Sequence, residues 1–182
     1  MTVSVYLPDS EPGPLSAGLA TSPSTLRGLR IGVLDNGKPN ADVVMVRAAE
    51  SLASRTGALV SVVTKKGPLG LSANAAIPLA PDRLELLLAQ ADLVITGAAD
   101  CGSCTAYSVH DAIELERNGI PTVVTTTTEF HPVATTLSTS FGAPDTRLLV
   151  LPHPIGGTDE PTLQSWADAA VDRLIALFTG QG

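Results

Sequence analysis

The stretch Asp92-Leu-Val-Ile-Thr-Gly-Ala-Ala-Asp-Cys-Gly-Ser-Cys-Thr105 decides how this chain is read. Its apolar run, Leu93 to Gly97, is short and lacks strict alternation, which marks a strand buried on both faces. A turn of small residues follows. Ala106 to Asn118 then reads as a helix ended by Gly119. The turn carries Cys101 and Cys104, the only two cysteines in the chain. At a helix start the unpaired N–H groups and the helix dipole favour an anion. A thiolate there is stabilised, and the thiolate is the nucleophilic form of cysteine. The plain alternative is a pair of small buried hydrophobes. Structural zinc takes four protein ligands and there is no second cysteine pair, so no metal site is expected, although a His or Asp can complete one.

The alternation of strand and helix continues on both sides of this stretch. Before it, Leu29 to Asp35 reads as a strand. Asp42 to Thr56 is a helix started by Asn40 or Asp42 and stopped by Gly57, and Ala58 to Thr64 is a second strand. Lys65 to Pro81 is a Gly/Pro-rich loop, long for a structural connection, and Asp82 to Ala91 is a Leu-rich helix. After it, Thr122 to Thr127 is a β-branched strand, Pro132 to Ser140 a helix, Arg147 to Pro152 a strand, and Thr162 to Thr179 a last helix. Short apolar strands each followed by a helix predict an α/β fold. Its sheet is parallel, five-stranded and doubly wound (flavodoxin/Rossmann-like), in a three-layer α/β/α sandwich. Residues 29–182 form the single catalytic domain. Residues 1–28, with a short apolar stretch at Val3 to Leu7 and prolines at 8, 12, 14 and 23, form an N-terminal arm. Such an arm is disordered, wrapped on the domain, or laid on a partner subunit.

Composition removes several classes of function. A chain of 182 residues with 44% hydrophobic residues builds an ordinary globular core. Net charge is −7, which argues against nucleic acid as a partner, since phosphate binding needs clustered Lys and Arg. Aromatics make up only 3%, so base stacking is not expected. No run of about 18 apolar residues suggests a membrane span, and no basic start with an apolar core marks a signal peptide. The expected location is cytoplasmic, where a Cys-x-x-Cys is catalytic or metal-binding more often than structural. No fingerprint for NAD or ATP is present, and no cofactor is assigned. The expected partners are a small-molecule substrate, a redox or carrier protein, and a second copy in a homodimer.

In a doubly wound sheet, ligands bind outside the carboxyl ends of the strands. Those ends carry Asp35-Asn-Gly-Lys38, Thr64-Lys-Lys66, Asp100-Cys-Gly-Ser-Cys104, Thr125 to His131, and His153-Pro-Ile-Gly-Gly157. Lys38 can hold a carboxylate or phosphate and Asn36 can orient a carbonyl, or the segment is a tight turn before a helix cap. Gly156 and Gly157 let a substrate approach the backbone, or they form a turn capped by Thr158 or Asp159. His153 is the first choice for moving protons and His131 the second, while His110 reads as a helix surface residue. Glu129 can serve as acid or base, or is a solvated loop carboxylate.

The segments Ala98-Ala-Asp-Cys-Gly-Ser-Cys-Thr105, Ile113-Glu-Leu-Glu-Arg-Asn-Gly-Ile-Pro121 and Leu34-Asp-Asn-Gly-Lys-Pro-Asn-Ala-Asp42 resemble the UGSC-motif proteins, some of which carry selenocysteine at the position of Cys101. More distantly, the chain is similar to the selenoprotein B subunit of glycine, sarcosine and betaine reductases. Those pair selenocysteine with a cysteine three residues on and have a Pro-His-Pro-[Ile/Leu]-Gly loop, here Pro152 to Gly156. The resemblance covers about Leu29 to Gly157. It implies that Cys101 is a nucleophile attacking an activated carbon and that Cys104 resolves or assists. Sulfur stands here in place of selenium.

These observations predict a cysteine-nucleophile enzyme that forms a thioether- or thioester-like intermediate at Cys101 on a small polar molecule. Cys101, Cys104, His153 and Glu129 are the candidate catalytic residues. Asp35, Asn36, Lys38, Ser103, Thr105, Thr128, Gly156 and Gly157 are the candidate substrate contacts. Two alternatives stand beside this reading. One is a thiol–disulfide or peroxide oxidoreductase cycling Cys101 and Cys104 through a disulfide. The other is a non-enzymatic metal-binding or assembly subunit.

Overall fold

Five apolar runs form the strands β1 (Arg30–Asp35), β2 (Leu59–Lys65), β3 (Leu93–Ala99), β4 (Thr122–Thr127) and β5 (Arg147–Leu151). The structure is a computed structural model that describes residues 18–67 and 75–181. The apolar stretch Val3 to Leu7 and the middle of the Lys65 to Pro81 loop lie outside the described residues. All strands are parallel, in the order β2-β1-β3-β4-β5. Every residue of β3 and β4 is buried, as expected for central strands covered on both faces. The edge strand β2 alternates between exposed and covered positions.

Six helices cover the sheet: α1 (Ala41–Thr56), α2 (Pro81–Gln90), α3 (Gly102–Arg117), α4 (His131–Ser140), α5 (Glu160–Ala169) and α6 (Val171–Thr179). Helix α1 buries Val44, Met45, Ala48 and Leu52, a helical spacing that gives it one apolar face. That face shares the largest core cluster with Leu163 and Ala167 of α5 and Leu174 and Phe178 of α6. Two smaller clusters lie under the other helices. Leu34, Leu87, Val94 and Leu115 form one; Val109, Ile113, Ala134 and Ala143 form the other. The result is the expected doubly wound three-layer α/β arrangement. Helices α1 and α3 leave opposite faces of neighbouring strands, so the winding reverses between β1 and β3 and opens a crevice there.

Three local expectations are corrected. Helix α3 begins at Gly102, not Ala106, so both cysteines belong to the helix start. Cys101 takes extended backbone and caps the first turn with its own sulfur, which lets Gly102 and Ser103 be helical despite being turn formers. The expected last helix, Thr162 to Thr179, is two helices meeting at Ala170. Helix α5 runs against α1 while α6 packs under β5, so the chain bends between them. Asn40 occupies the cap position of α1 but makes no side-chain cap. Its amide instead donates to the Ile155 and Thr158 carbonyls (3.0 and 2.9 Å), tying the loop after β5 to the turn after β1.

Two buried ion pairs complete the frame. At the amino ends of the strands, Arg147 pairs with Glu116 and donates to the carbonyls of Leu177 and Ala20 and to the Ser22 hydroxyl. Glu116 accepts from the amides of Ala20 and Thr122. Residues 20–22 of the arm are thereby held on the domain, and Leu26 enters the core. The second pair joins Lys66, just past β2, to Asp111 of α3 (2.6 Å), with both side chains only 1% exposed. Asp111 also accepts from the Leu79 amide (2.8 Å). One carboxylate thus holds both stems of the loop between β2 and α2.

Candidate active site

The carboxyl end of β3 is bent before it reaches the cysteines. Gly97 has φ +111° and Ala98 +53°, and the register with β4 shifts between Gly97 and Ala99. A Cβ on Gly97 would meet the Thr125 carbonyl oxygen at 2.3 Å, so only glycine fits beside β4. This bulge aims Asp100 and Cys101 into the crevice between β1 and β3.

Cys101 is half-buried and Cys104 fully buried. The Cys104 amide donates to the Cys101 sulfur (3.3 Å), and the Cys101 amide donates to the Cys104 sulfur (3.0 Å). The two sulfurs are placed as a bonded pair, with Cα atoms 5.5 Å apart, a separation usual for a disulfide. The more accessible sulfur therefore receives an N–H at a helix start, the arrangement that stabilises charge on it. Thr105 is buried, and its hydroxyl donates to the Cys101 carbonyl (2.6 Å). Ser103 is exposed, its hydroxyl 3.9 Å from the Cys101 sulfur.

The turn after β1 supplies the other wall. The Asp35 carboxylate is buried; it accepts from the Gly37 amide (2.7 Å) and lies 3.8 Å from the Lys65 ammonium. Burial pushes this carboxyl above the usual carboxylate range, although the Gly37 N–H and Lys65 oppose the shift. Asn36 uses its carbonyl oxygen to accept the Lys38 amide (3.0 Å). Its Nδ2 donor is buried without a partner among the described residues, so a hydrogen-bond acceptor brought to this point would satisfy it.

Asp100 is the hub of the rim, and sequence reading gave it no role. One oxygen accepts from the Gly156 amide (3.0 Å), and the other lies 3.7 Å from the Lys38 ammonium. Loops after β1, β3 and β5 thus meet on one carboxylate. A Cβ on Gly156 would press on this oxygen at 3.3 Å. The signal for Asp100 in the sequence was its place at the end of a buried strand, next to the first cysteine. Asp100, Cys101 and Cys104 bring one donor atom each within 4.8 Å of one another. Three such donors can share a cation, but the Lys38 ammonium on Asp100 repels one.

The other candidates are more dispersed. His153 is exposed; its Nδ1 is 3.1 Å from the Thr127 hydroxyl and its ring 5.8 Å from that of Phe130. The loop after β5 is therefore tied to the end of β4. Thr128 is exposed, with its amide on the Leu151 carbonyl (2.9 Å). Glu129 is exposed and takes no part in the contacts around Asp100. Gly157 is exposed with φ +86°. His110, expected on a helix surface, is exposed 3.5 Å from Asp111.

Comparison with known proteins gives one family. The model described as the UGSC family matches residues 6–180. No curated protein matches the chain. A solved structure with a similar path is translation elongation factor SelB from Methanococcus maripaludis in complex with the GTP analogue GppNHp. It has 12% sequence identity and a TM-score of 0.38, and the match covers 86% of this chain and 34% of that one. The chain thus spans about a third of that protein's length. No helix among the described residues is long and apolar enough to cross a membrane.

Proposed function

The chain belongs to the UGSC family, and from that membership and the geometry at the start of α3 we propose a cysteine-nucleophile enzyme acting on a small polar molecule. The observation that carries this reading is the asymmetry of the two cysteines. Cys101 is reachable and its sulfur receives a backbone N–H, while Cys104 is buried directly beneath it. The first step is attack by the Cys101 thiolate on an electrophilic carbon. The carbon–sulfur bond forms as the carbon–heteroatom bond breaks, and the leaving group departs with its electron pair. Asn36 Nδ2 and Lys38 hold the oxygen of an adjacent carbonyl or carboxylate.

Cys104 then attacks the Cys101 sulfur. The sulfur–carbon bond breaks, its electron pair stays with the carbon, and that carbon takes a proton. Two sulfurs have been oxidised to a disulfide and one carbon reduced by two electrons. A dithiol reductant, free or on a partner protein, returns the cysteines to thiols. An electron pair left on carbon needs a neighbouring carbonyl to accept it, which is why the substrate is taken to carry one. His153 and Thr128 lie toward the β4 and β5 side of the rim, where they would meet the far end of the substrate.

Two cysteines three residues apart at one helix start, with Cα atoms 5.5 Å apart, support a second reading, a thiol–disulfide or peroxide oxidoreductase using the same two steps on sulfur or oxygen. Iodoacetamide labelling with peptide mapping tests the shared premise. Cys101 in the reduced protein should be alkylated at least about tenfold faster than Cys104 near pH 7, following thiolate character and access. Cys101→Ser should abolish the fast phase. Faster labelling of Cys104 would reverse the assignment. A stable disulfide with a potential near that of cellular dithiols, and no carbon adduct on Cys101 with any small α-substituted carbonyl compound, would select the oxidoreductase.

A further inference from the structure

We propose that Asp100 is the proton carrier of this site, taking the proton that Cys104 loses when it attacks the Cys101 sulfur and passing it to the departing group. The inference rests on Cys101 as nucleophile and Cys104 as resolving thiol. A resolving thiol must lose its proton to become a nucleophile. Cys104 is fully buried, so near neutral pH a base fixed beside it serves it better than bulk water. A carboxylate oxygen of Asp100 lies within 4.8 Å of both sulfurs, and the Asp100 side chain is 9% exposed. One oxygen is held by the Gly156 amide. The other is buried and accepts no hydrogen bond among the described residues, so it retains a lone pair for a proton. A base needs to come within hydrogen-bond reach only in the reacting complex, where such contacts tighten.

Charged and polar groups face the Asp100 carboxylate from three sides. The Lys38 ammonium, from the turn after β1, balances its charge at 3.7 Å. From the β5 side it receives the Gly156 N–H, three residues after His153, which is bonded to Thr127. At the start of α3 the sulfurs of Cys101 and Cys104 lie within 4.8 Å of it. Asp35, at the end of β1, is engaged with Gly37 and Lys65. The step balances without a further acid. Cys104 gives its proton to Asp100, its sulfur bonds to that of Cys101, and the group leaving Cys101 collects both the electron pair and the Asp100 proton.

An aromatic disulfide, 5,5′-dithiobis(2-nitrobenzoate), separates the two steps without the natural substrate. Attack by Cys101 releases one coloured thiolate, and attack by Cys104 on the mixed disulfide releases a second. In Asp100→Asn, which keeps the acceptor for the Gly156 amide but cannot carry a proton, the second release should slow relative to the first. That relative slowing should be at least about tenfold near pH 6.5, by the usual contribution of a positioned base. The gap should narrow toward pH 9, above the ordinary thiol pKa of about 8.5, where a positioned base matters less. Asp100→Glu should recover part of the rate with a pH profile like that of the wild type.

An unchanged second phase in Asp100→Asn, or equal slowing of both phases at every pH, would overturn the proposal. Should Asp100→Asn fail to fold, the wild-type protein in heavy water decides. Slowing of about twofold or more confined to the second phase supports proton transfer, and no slowing rejects it. Loss of the first phase only in Cys104→Ser, not in Cys101→Ser, would instead defeat the underlying assignment of the nucleophile.

Discussion

Replacing Arg147 with Met tests the frame on which the site is built. The guanidinium is 7% exposed and the Glu116 carboxylate 4%, so the pair is screened little by water. Met preserves most of the aliphatic volume while removing the charge and four donor contacts, to Glu116, Leu177, Ala20 and Ser22. Glu116 would be left as a buried carboxylate held only by two amides, those of Ala20 and Thr122. Breaking a buried pair by removing one partner costs about 3–5 kcal/mol. For a chain of this size that lowers the melting temperature by roughly 6–20 °C. Relative to the single variant, which already lacks the Arg147 bond to the Leu177 carbonyl, the double variant Glu116→Leu/Arg147→Met removes the unpaired carboxylate and newly strands chiefly the buried Thr122 amide, about 1–3 kcal/mol. It should therefore be more stable than the single variant. Urea unfolding followed by far-ultraviolet circular dichroism measures all three proteins. A loss below about 1 kcal/mol in Arg147→Met, or a double variant weaker than the single, would refute the reasoning from burial.

Two further outcomes follow from the rim. Gly97→Ala combines a Cβ against the Thr125 backbone with a left-handed φ and should cost roughly 2–5 kcal/mol in the same assay, from overpacking and strain together; a loss under about 1 kcal/mol would mean that the bulge can relax. Asp35→Asn should stabilise the protein at neutral pH. Burial raises the folded-state carboxyl above its ordinary value of 3.8, so the folded state holds this proton more tightly than the unfolded chain does. Its stabilising contribution is then full below that value and is lost as pH climbs through the folded one. The gain from Asn should therefore vanish in acid, and urea midpoints at pH 7 showing no gain would mean that Lys65 and the Gly37 amide outweigh desolvation.

Much of this fold is legible in the chain itself. Apolar runs without alternation at Leu93 to Gly97 and Thr122 to Thr127, each followed by a helical stretch, require a parallel sheet with both faces covered, because such strands have no polar face to offer water. That sheet places the ends of its strands on one rim, so the cysteines, the Asp35 to Lys38 turn and the loop at His153 could be grouped from their strand positions alone. The start of α3 is not legible in the chain because Gly102 and Ser103 are turn formers, and the sulfur cap at Cys101 is a local contact outside the usual capping residues. The pairings of charge were invisible, since Lys66 with Asp111, Glu116 with Arg147, and Asp100 with Lys38 and Gly156 are joined only by tertiary packing. The pattern of apolar residues determines which surfaces must be buried, and that is a property of the chain read locally. Which charge ends beside which, and so which carboxylate can serve the cysteines, depends on ångström distances between loops far apart in the chain, and only the folded structure brings those loops together.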